Sequence, residues 1–160
     1  MRVWGAIATA VLLQVAATPA AAQMKKPPYW ASIASGEAQT RAGPGRNYPG
    51  LFLYKRRDLP VKVVAVYENW RRIQDPDGTL GWMLVTLLSD RRTALIKAGE
   101  RRAIHDKPAS ASHVSYEAEP GVVGRISDCD GDWCRIEIAK KRGYIRQSDV
   151  WGTDENESVK

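Results

Sequence analysis

The chain has 160 residues, of which 44% are hydrophobic and 26% charged, and it carries a formal net charge of +6. These are the values of a soluble globular protein, and they exclude a disordered or collagen-like chain. Six Trp and six Tyr accompany many Val and Ile, with Gly and Pro scattered throughout, which is a composition for short strands and not for long helices. No glycine-rich loop of the Walker or dinucleotide type occurs, so a nucleotide-driven enzyme is disfavoured.

Residues 1–22 read as an export signal: Arg2 precedes an apolar stretch from Val3 to Ala17, followed by Pro19 and the small residues Ala20, Ala21 and Ala22. Cleavage is expected before Gln23. An uncleaved membrane anchor is the alternative, weakened by the Ala-rich composition, Gln14 and Pro19. The expected product is a periplasmic or secreted protein with no stable membrane span. Residues 23–29, with Lys25-Lys26-Pro27-Pro28, read as a linker.

From Trp30 onward the pattern is of short strands limited by turns. Strands are predicted over Ala31–Gln39, Leu51–Tyr54, Val61–Tyr67, Trp70–Gln74 and Leu80–Val85, with turns at Gly43-Pro44-Gly45, Glu68-Asn69 and Pro76-Asp77-Gly78. The layout then repeats at offsets of about 60 to 64. Pro44 matches Pro108, Pro60 matches Pro120, Trp70 matches Trp133, Gly81 matches Gly143, Trp82 matches Tyr144 and Leu88 matches Val150. The expected fold class is therefore all-β, two small β-barrels in tandem: residues 30–90, residues 91–152, and an acidic tail over 153–160.

Cys129 and Cys134 flank the turn Asp130-Gly131-Asp132 between two strand-like runs. In an oxidising compartment such a pair is expected to form a disulfide across a hairpin. Zinc is the alternative, but no second ligand pair lies nearby and His105 and His113 are isolated, so neither metal nor cofactor is expected. A redox role would call for a low-pKa thiol at a helix start, which this pattern lacks.

Arg41-Ala42-Gly43-Pro44-Gly45 with Tyr48, then Leu59-Pro60-Val61, Asn69-Trp70 and Gly81-Trp82, resemble bacterial Src-homology-3-like (SH3-like) domains. The resemblance runs over nearly all of 31–151. The second copy departs from the pattern, with His105-Asp106-Lys107-Pro108 in place of Arg41-Ala42-Gly43-Pro44, and Tyr144 in place of Trp82. What the resemblance implies is a five-stranded barrel with a one-turn helix before its last strand, near Val85–Leu88 and Gln147–Asp149. It also implies a non-catalytic binding module whose partner is a cell-wall peptide or an envelope protein.

Physics supplies a surface for such a ligand: a shallow groove in which Tyr and Trp receive an extended peptide. Tyr48, Tyr54, Trp70 and Trp82 are the aromatic candidates, with Arg72 beside them, although small barrels also need large aromatics as core. Basic pairs recur at Lys55-Arg56-Arg57, Arg71-Arg72, Arg91-Arg92, Arg101-Arg102 and Lys140-Lys141-Arg142. They point either to an anionic partner such as a peptide carboxylate or to a solvated surface. Nucleic acid is not expected, since it would need a concentrated basic face and the export signal places the protein away from it. No Ser sits in a Gly-x-Ser-x-Gly elbow and both Cys are expected to be bonded, so no catalytic residue is assigned. The competing function is assembly, through barrel packing or edge-strand pairing, including homodimerisation. The oligomeric state stays open at this point.

Overall fold

The computed structural model describes residues 25–160; the expected export signal lies outside them. The first barrel contains β1 (Tyr29–Ile33), β2 (Ala38–Arg41), β3 (Gly50–Tyr54), β4 (Pro60–Tyr67), β5 (Trp70–Gln74), β6 (Leu80–Leu84) and β7 (Leu88–Ser89), with a one-turn 3-10 helix at Val85–Leu87. The second contains β8 (Thr93–Ile96), β9 (Arg102–His105), β10 (Val114–Ala118), β11 (Val123–Asp130), β12 (Trp133–Ile138), β13 (Lys141–Arg146), β14 (Val150–Trp151) and β15 (Ser158–Val159), with a 3-10 turn at Gln147–Asp149. The strand orders are β3-β2-β6-β5-β4-β1-β7 and β10-β9-β13-β12-β11-β8-β14, with β15 added on β11. The second order repeats the first strand for strand. The all-β tandem expected from the sequence is what the chain forms, with both one-turn helices where the resemblance implied them.

Three readings need correction. The strand expected over Ala31–Gln39 is two strands, β1 and β2, separated by Ser35 and Gly36, which favour a bend over continued pairing. Pro60 and Pro120 are not equivalent. Ala31 pairs with Val61 and Ala94 with Gly124, so Val123 takes the place of Pro60 and Pro120 sits in the preceding turn. The residues set apart as an acidic tail fold back on the second barrel: Val159 pairs with Cys129 and is buried in its core.

Each barrel has its own apolar core. Ala31, Ile33, Ala38, Val61, Val63, Ile73 and Met83 fill the first. Ala94, Ile96, Ile104, Ile126, Ile136, Ile145 and Val150 fill the second, together with Cys129 and Cys134. The two cysteines are direct cross-strand partners on β11 and β12 and form a disulfide. Closing so short a loop contributes about 2 kcal/mol through the unfolded chain.

β1 shows how the barrels are joined. Ala31 and Ile33 face the first core, yet Trp30 and Ser32, on the opposite face, are buried as well. A strand buried on both faces needs a second layer, and the second barrel supplies it. The Trp30 ring meets Trp151 edge-to-face at 4.6 Å between centroids, and Leu95 and Val123 pack against the first core. Around them Lys62 pairs with Asp154, Arg91 with Asp58, and the Arg56 guanidinium donates to the Gly121 carbonyl.

The returning segment is held by Glu157, whose carboxylate accepts from Arg92 Nη1 at 2.8 Å and Nη2 at 3.0 Å, and from the Asp154 N–H at 2.9 Å. Burial alone would push the Glu157 carboxyl up, but these hydrogen bonds outweigh it and hold it below the usual range. The folded state thus prefers the ionised form. Its contribution is present above the ordinary carboxylate pKa of about 4.3 and is lost as pH falls through the lower folded value. The protection factor of the Val159 amide is accordingly expected to fall at acid pH before those of Ile136 and Ile145. Hydrogen exchange at several pH values checks this, and equal protection of all three throughout would contradict it.

Candidate functional site

Alternation along β5 and β6 sends Ile73, Gly81 and Met83 inward and leaves Trp70, Arg72, Trp82 and Leu84 on the outer face. Across that face Trp70 pairs with Leu84, Arg72 with Trp82, and Trp82 in turn with Arg41 of β2. Directly opposed residues share a face, so the Trp82 indole lies between two guanidinium-bearing side chains. Gly81 is dictated by packing, because a Cβ there would meet the Thr40 side chain on β2 at 2.6 Å. This close approach of β6 to β2 brings Arg41 and Trp82 together.

One end of the row is closed by the loop between β2 and β3. Arg41 donates through Nη1 to the Tyr48 carbonyl at 2.8 Å, and the Ala42 N–H donates to the Pro49 carbonyl at 3.0 Å. The Tyr48 ring lies against Gly43 so closely that a Cβ would collide with it. Arg-x-Gly-Pro-Gly-x-x-Tyr is thus a folding motif that leaves the Tyr48 side chain 42% exposed. A cleft of about 140 Å³ runs between Gln39, Arg41, Arg46, Trp70, Leu84 and Leu87.

Of the five candidates, Trp70, Arg72 and Trp82 share this face, and Tyr48 stands in the loop that closes it. Tyr54 does not join them. It pairs with Ala38, packs on the core, and its hydroxyl donates to Asp75 Oδ2 at 2.9 Å. Burial, then the bond to Asp75, push its phenol well above the ordinary tyrosine range. Asp75 also accepts from the Asp77 and Thr79 N–H groups, so Tyr54 anchors the β5–β6 turn. Trp70 is only 7% exposed, and its edge lines the cleft.

The basic pairs are largely consumed inside the molecule. Arg71 is buried and donates to Tyr29 and to the Glu68 and Trp70 carbonyls, while Arg92, Arg101, Arg102 and Arg142 face Glu157, Glu119, Asp149 and Glu137. Arg72 is exposed and bears no ion pair among the described residues. Arg41 stands in the Arg-x-Gly-Pro-Gly motif, but nothing in the sequence tied it or Arg46 to Trp70 and Trp82, because the β2–β6 pairing joins residues about forty positions apart.

The second barrel keeps the framework and changes the surface. His105 takes the place of Arg41: its Nδ1 lies 3.2 Å from the Ser112 carbonyl, and the Asp106 N–H donates to the His113 carbonyl at 3.0 Å. The same nitrogen also lies 3.3 Å from the Ser112 hydroxyl. Ser112 therefore stands where Tyr48 stands in the first copy. Tyr144 lies between Arg135 and His105, and Arg146 covers the Trp133 ring at 4.7 Å where the first barrel has Leu84. A separate polar cleft of about 420 Å³, between Lys97, Asp132, Arg146, Gln147, Asp154 and Glu155, adjoins the returning C-terminal segment. Among the described residues no group of three or more His, Cys, Asp or Glu side chains is placed to hold a metal ion.

The profile of the bacterial SH3 domain family matches residues 34–90 and again residues 98–152. The chain belongs to the bacterial SH3 domain family. Its two SH3 domains are the two barrels, and the family match includes the His105 clamp of the divergent copy. SH3 domains of this kind bind peptides or proteins and are generally non-catalytic. No curated protein matches the chain. Among solved structures, NlpC2 and NlpC1 from Trichomonas vaginalis are similar at 14% identity and a TM-score of 0.35, over 81% and 82% of this chain and 50% and 48% of theirs. An NlpC/P60 family protein from Bacillus cereus is similar at 12% identity and a TM-score of 0.35, over 79% of this chain and 57% of that one. The tandem SH3 chain thus spans about half the length of these proteins.

Proposed function

We propose that this tandem SH3 protein is a non-catalytic binding module of the cell envelope, exported to the periplasm or secreted, which takes a cell-wall peptide or an envelope protein segment on the outer face of its first barrel. The observation that carries this reading is the Arg41–Trp82–Arg72 row, an aromatic surface between two guanidinium groups, with Tyr48 and the edge of Trp70 beside it. An indole offers flat apolar area at little cost in side-chain entropy, and a guanidinium donates two parallel hydrogen bonds to a carboxylate. A short peptide bearing carboxylates matches both. The second barrel replaces Tyr48 by Ser112 and Arg41 by His105, which favours the first barrel as the recognising copy.

Amide chemical-shift titration with purified cell-wall fragments and, separately, with a proline-rich peptide pool tests the proposal. Saturable shifts at Tyr48, Arg72 and Trp82 are expected. Arg72→Ala and Trp82→Ala should weaken the response at least tenfold while leaving the melting temperature within a few degrees, because both residues are at least partly exposed. A flat titration with both ligand sets would overturn it. Shifts confined to Lys97, Asp132 and Gln147 would move the site to the cleft of the second barrel.

A further inference from the structure

The outer face of the second barrel carries a row of directly opposed residues across β8, β11, β12 and β13. Thr93 pairs with Arg125, Arg125 with Glu137, and Glu137 with Arg142. Arg135 stands two residues before Glu137 on β12 and therefore shares its face. Arg125, Arg135 and Arg142, all exposed, line one open cleft of about 300 Å³ with Ser127, Ile136 and Glu137. At the matching positions the first barrel has the row Trp30, Lys62, Gln74 and Leu80. That row serves the joint, through Trp30 and the Lys62–Asp154 pair. Both barrels bulge next to this row, but the extra residue is Val64 in the first and exposed Ser127 in the second. The fold therefore does not require three arginines and a serine here.

The charges in the cleft do not cancel. Glu137 accepts from Arg142 Nε at 2.7 Å, and this bond, with the charges of Arg142 and Arg125 behind it, holds its carboxyl below the usual range. One carboxylate cannot balance three guanidinium groups. Among the described residues Arg125 and Arg135 form no ion pair; Asp128, opposite Arg135 on β11, lies outside the cleft and is not bonded to it. An adjoining hollow of about 190 Å³ shares Arg125 and Glu137 and adds Lys140. Asp58 of the first barrel closes its far side and is already paired with Arg91. Like charges crowded on neighbouring strands repel one another, and a bound anion removes that repulsion.

The geometry points to a binding site for a phosphoryl group in this cleft. Guanidinium forks suit carboxylate and phosphate alike, and the arrangement of the forks decides between them. Arg125, Arg135 and Arg142 rise from three neighbouring strands in two rows roughly 7 Å apart, so they reach a central anion from different directions. A carboxylate presents its two oxygens in one plane and fits one fork. A tetrahedral phosphate turns oxygens toward all three arginines and toward the Ser127 hydroxyl. The apolar side chain in the cleft, Ile136, is buried, so little is offered to the side chains of a peptide. In this the cleft differs from the Arg41–Trp82–Arg72 face, and the inference stands independently of what that face binds.

Titration of the purified protein with inorganic phosphate at constant ionic strength, followed through amide and arginine Nε–H signals, tests this. Saturable shifts at Arg125, Ser127 and Arg135 are expected. Arg125→Gln and Arg135→Gln should each weaken the apparent affinity about tenfold. Lys107→Gln, which removes an exposed charge elsewhere on the second barrel, should leave it unchanged. The wild-type shift map stands as a readout even if a variant fails to fold. Cosedimentation with phosphatidylcholine vesicles, with and without phosphatidylglycerol, distinguishes the source. Binding to phosphatidylglycerol vesicles that Arg135→Gln abolishes would support a phosphoryl group carried on a lipid, and a response to inorganic phosphate alone would support a soluble one. No response in either arm, citrate giving the same shifts at equal or lower concentration, or Lys107→Gln weakening binding as much as Arg135→Gln would each overturn the inference.

Discussion

Trp70→Ala is expected to cost about 3 to 5 kcal/mol of stability, the range for truncating a buried tryptophan. Trp70 lies on the outer face of β5, where exposure would be the simple expectation, yet Leu84 beside it and Gln39, Arg41, Arg46 and Leu87 around the cleft leave only 7% of it accessible. The same holds at the equivalent position, where Trp133 is 7% exposed beneath His105 and Arg146. A loss of that size, spread over the two barrels melting as one unit, corresponds to a fall of about 10 °C or more in the melting temperature. Thermal melts followed by tryptophan fluorescence and by amide signals of each barrel would show it, and an unchanged melt would contradict it. Lost ligand binding in Trp70→Ala would therefore report unfolding as much as lost contact. Arg72 and Trp82 are the positions where binding can be read separately from stability.

The difference between Trp70 and Trp82 was not visible in the sequence, where both are aromatic residues at strand positions beside a turn. What separates them is their surroundings: Trp70 is buried in the cleft with Gln39, Arg41, Arg46, Leu84 and Leu87, whereas Trp82 stays partly exposed between Arg41 and Arg72. These are contacts between residues distant in the chain. By contrast the tandem barrel was legible, because the turn residues, the alternating strands and the repeat at Trp70 and Trp133 are local patterns that recur. The disulfide was legible for the same reason, with Cys129 and Cys134 flanking a tight turn. Pro60 and Pro120 misled because proline marks a turn wherever it falls and carries no register. The register came instead from Val61 and Gly124, whose partners Ala31 and Ala94 lie on strands of little distinctive sequence. Tyr54 was one of five aromatic and basic candidates and became a turn anchor because Asp75, twenty-one residues on, is buried beside its hydroxyl. The apolar edge at Leu51-Phe52-Leu53 was readable as a strand, but a strand at the edge and one in the middle of a sheet look alike until the pairing order is known.

Trp30→Ala is expected to have an effect of similar size and a different kind. Trp30 is on the face of β1 that turns away from the first core, so its removal leaves that core in place and opens the joint between the barrels. About 3 to 5 kcal/mol would be lost, of which the edge-to-face contact with Trp151 accounts for roughly 0.5 to 1.5 kcal/mol. The polar contacts around it, Lys62 with Asp154 and Asp58 with Arg91, are partly exposed and screened, and pairs of that kind rarely contribute more than about 1 kcal/mol each. They cannot hold the barrels together alone. In the wild type the shared layer at Trp30, Leu95, Val123 and Trp151 should make the two barrels unfold in one cooperative step, with calorimetric and van't Hoff enthalpies in agreement. In Trp30→Ala the calorimetric enthalpy should exceed the van't Hoff value as the barrels melt separately, and Trp151→Ala should do the same from the other side of the joint. A single step in both variants, with the two enthalpies still equal, would mean that the barrels are coupled elsewhere. Separate steps in the wild type would mean that the joint carries little free energy, whatever its burial.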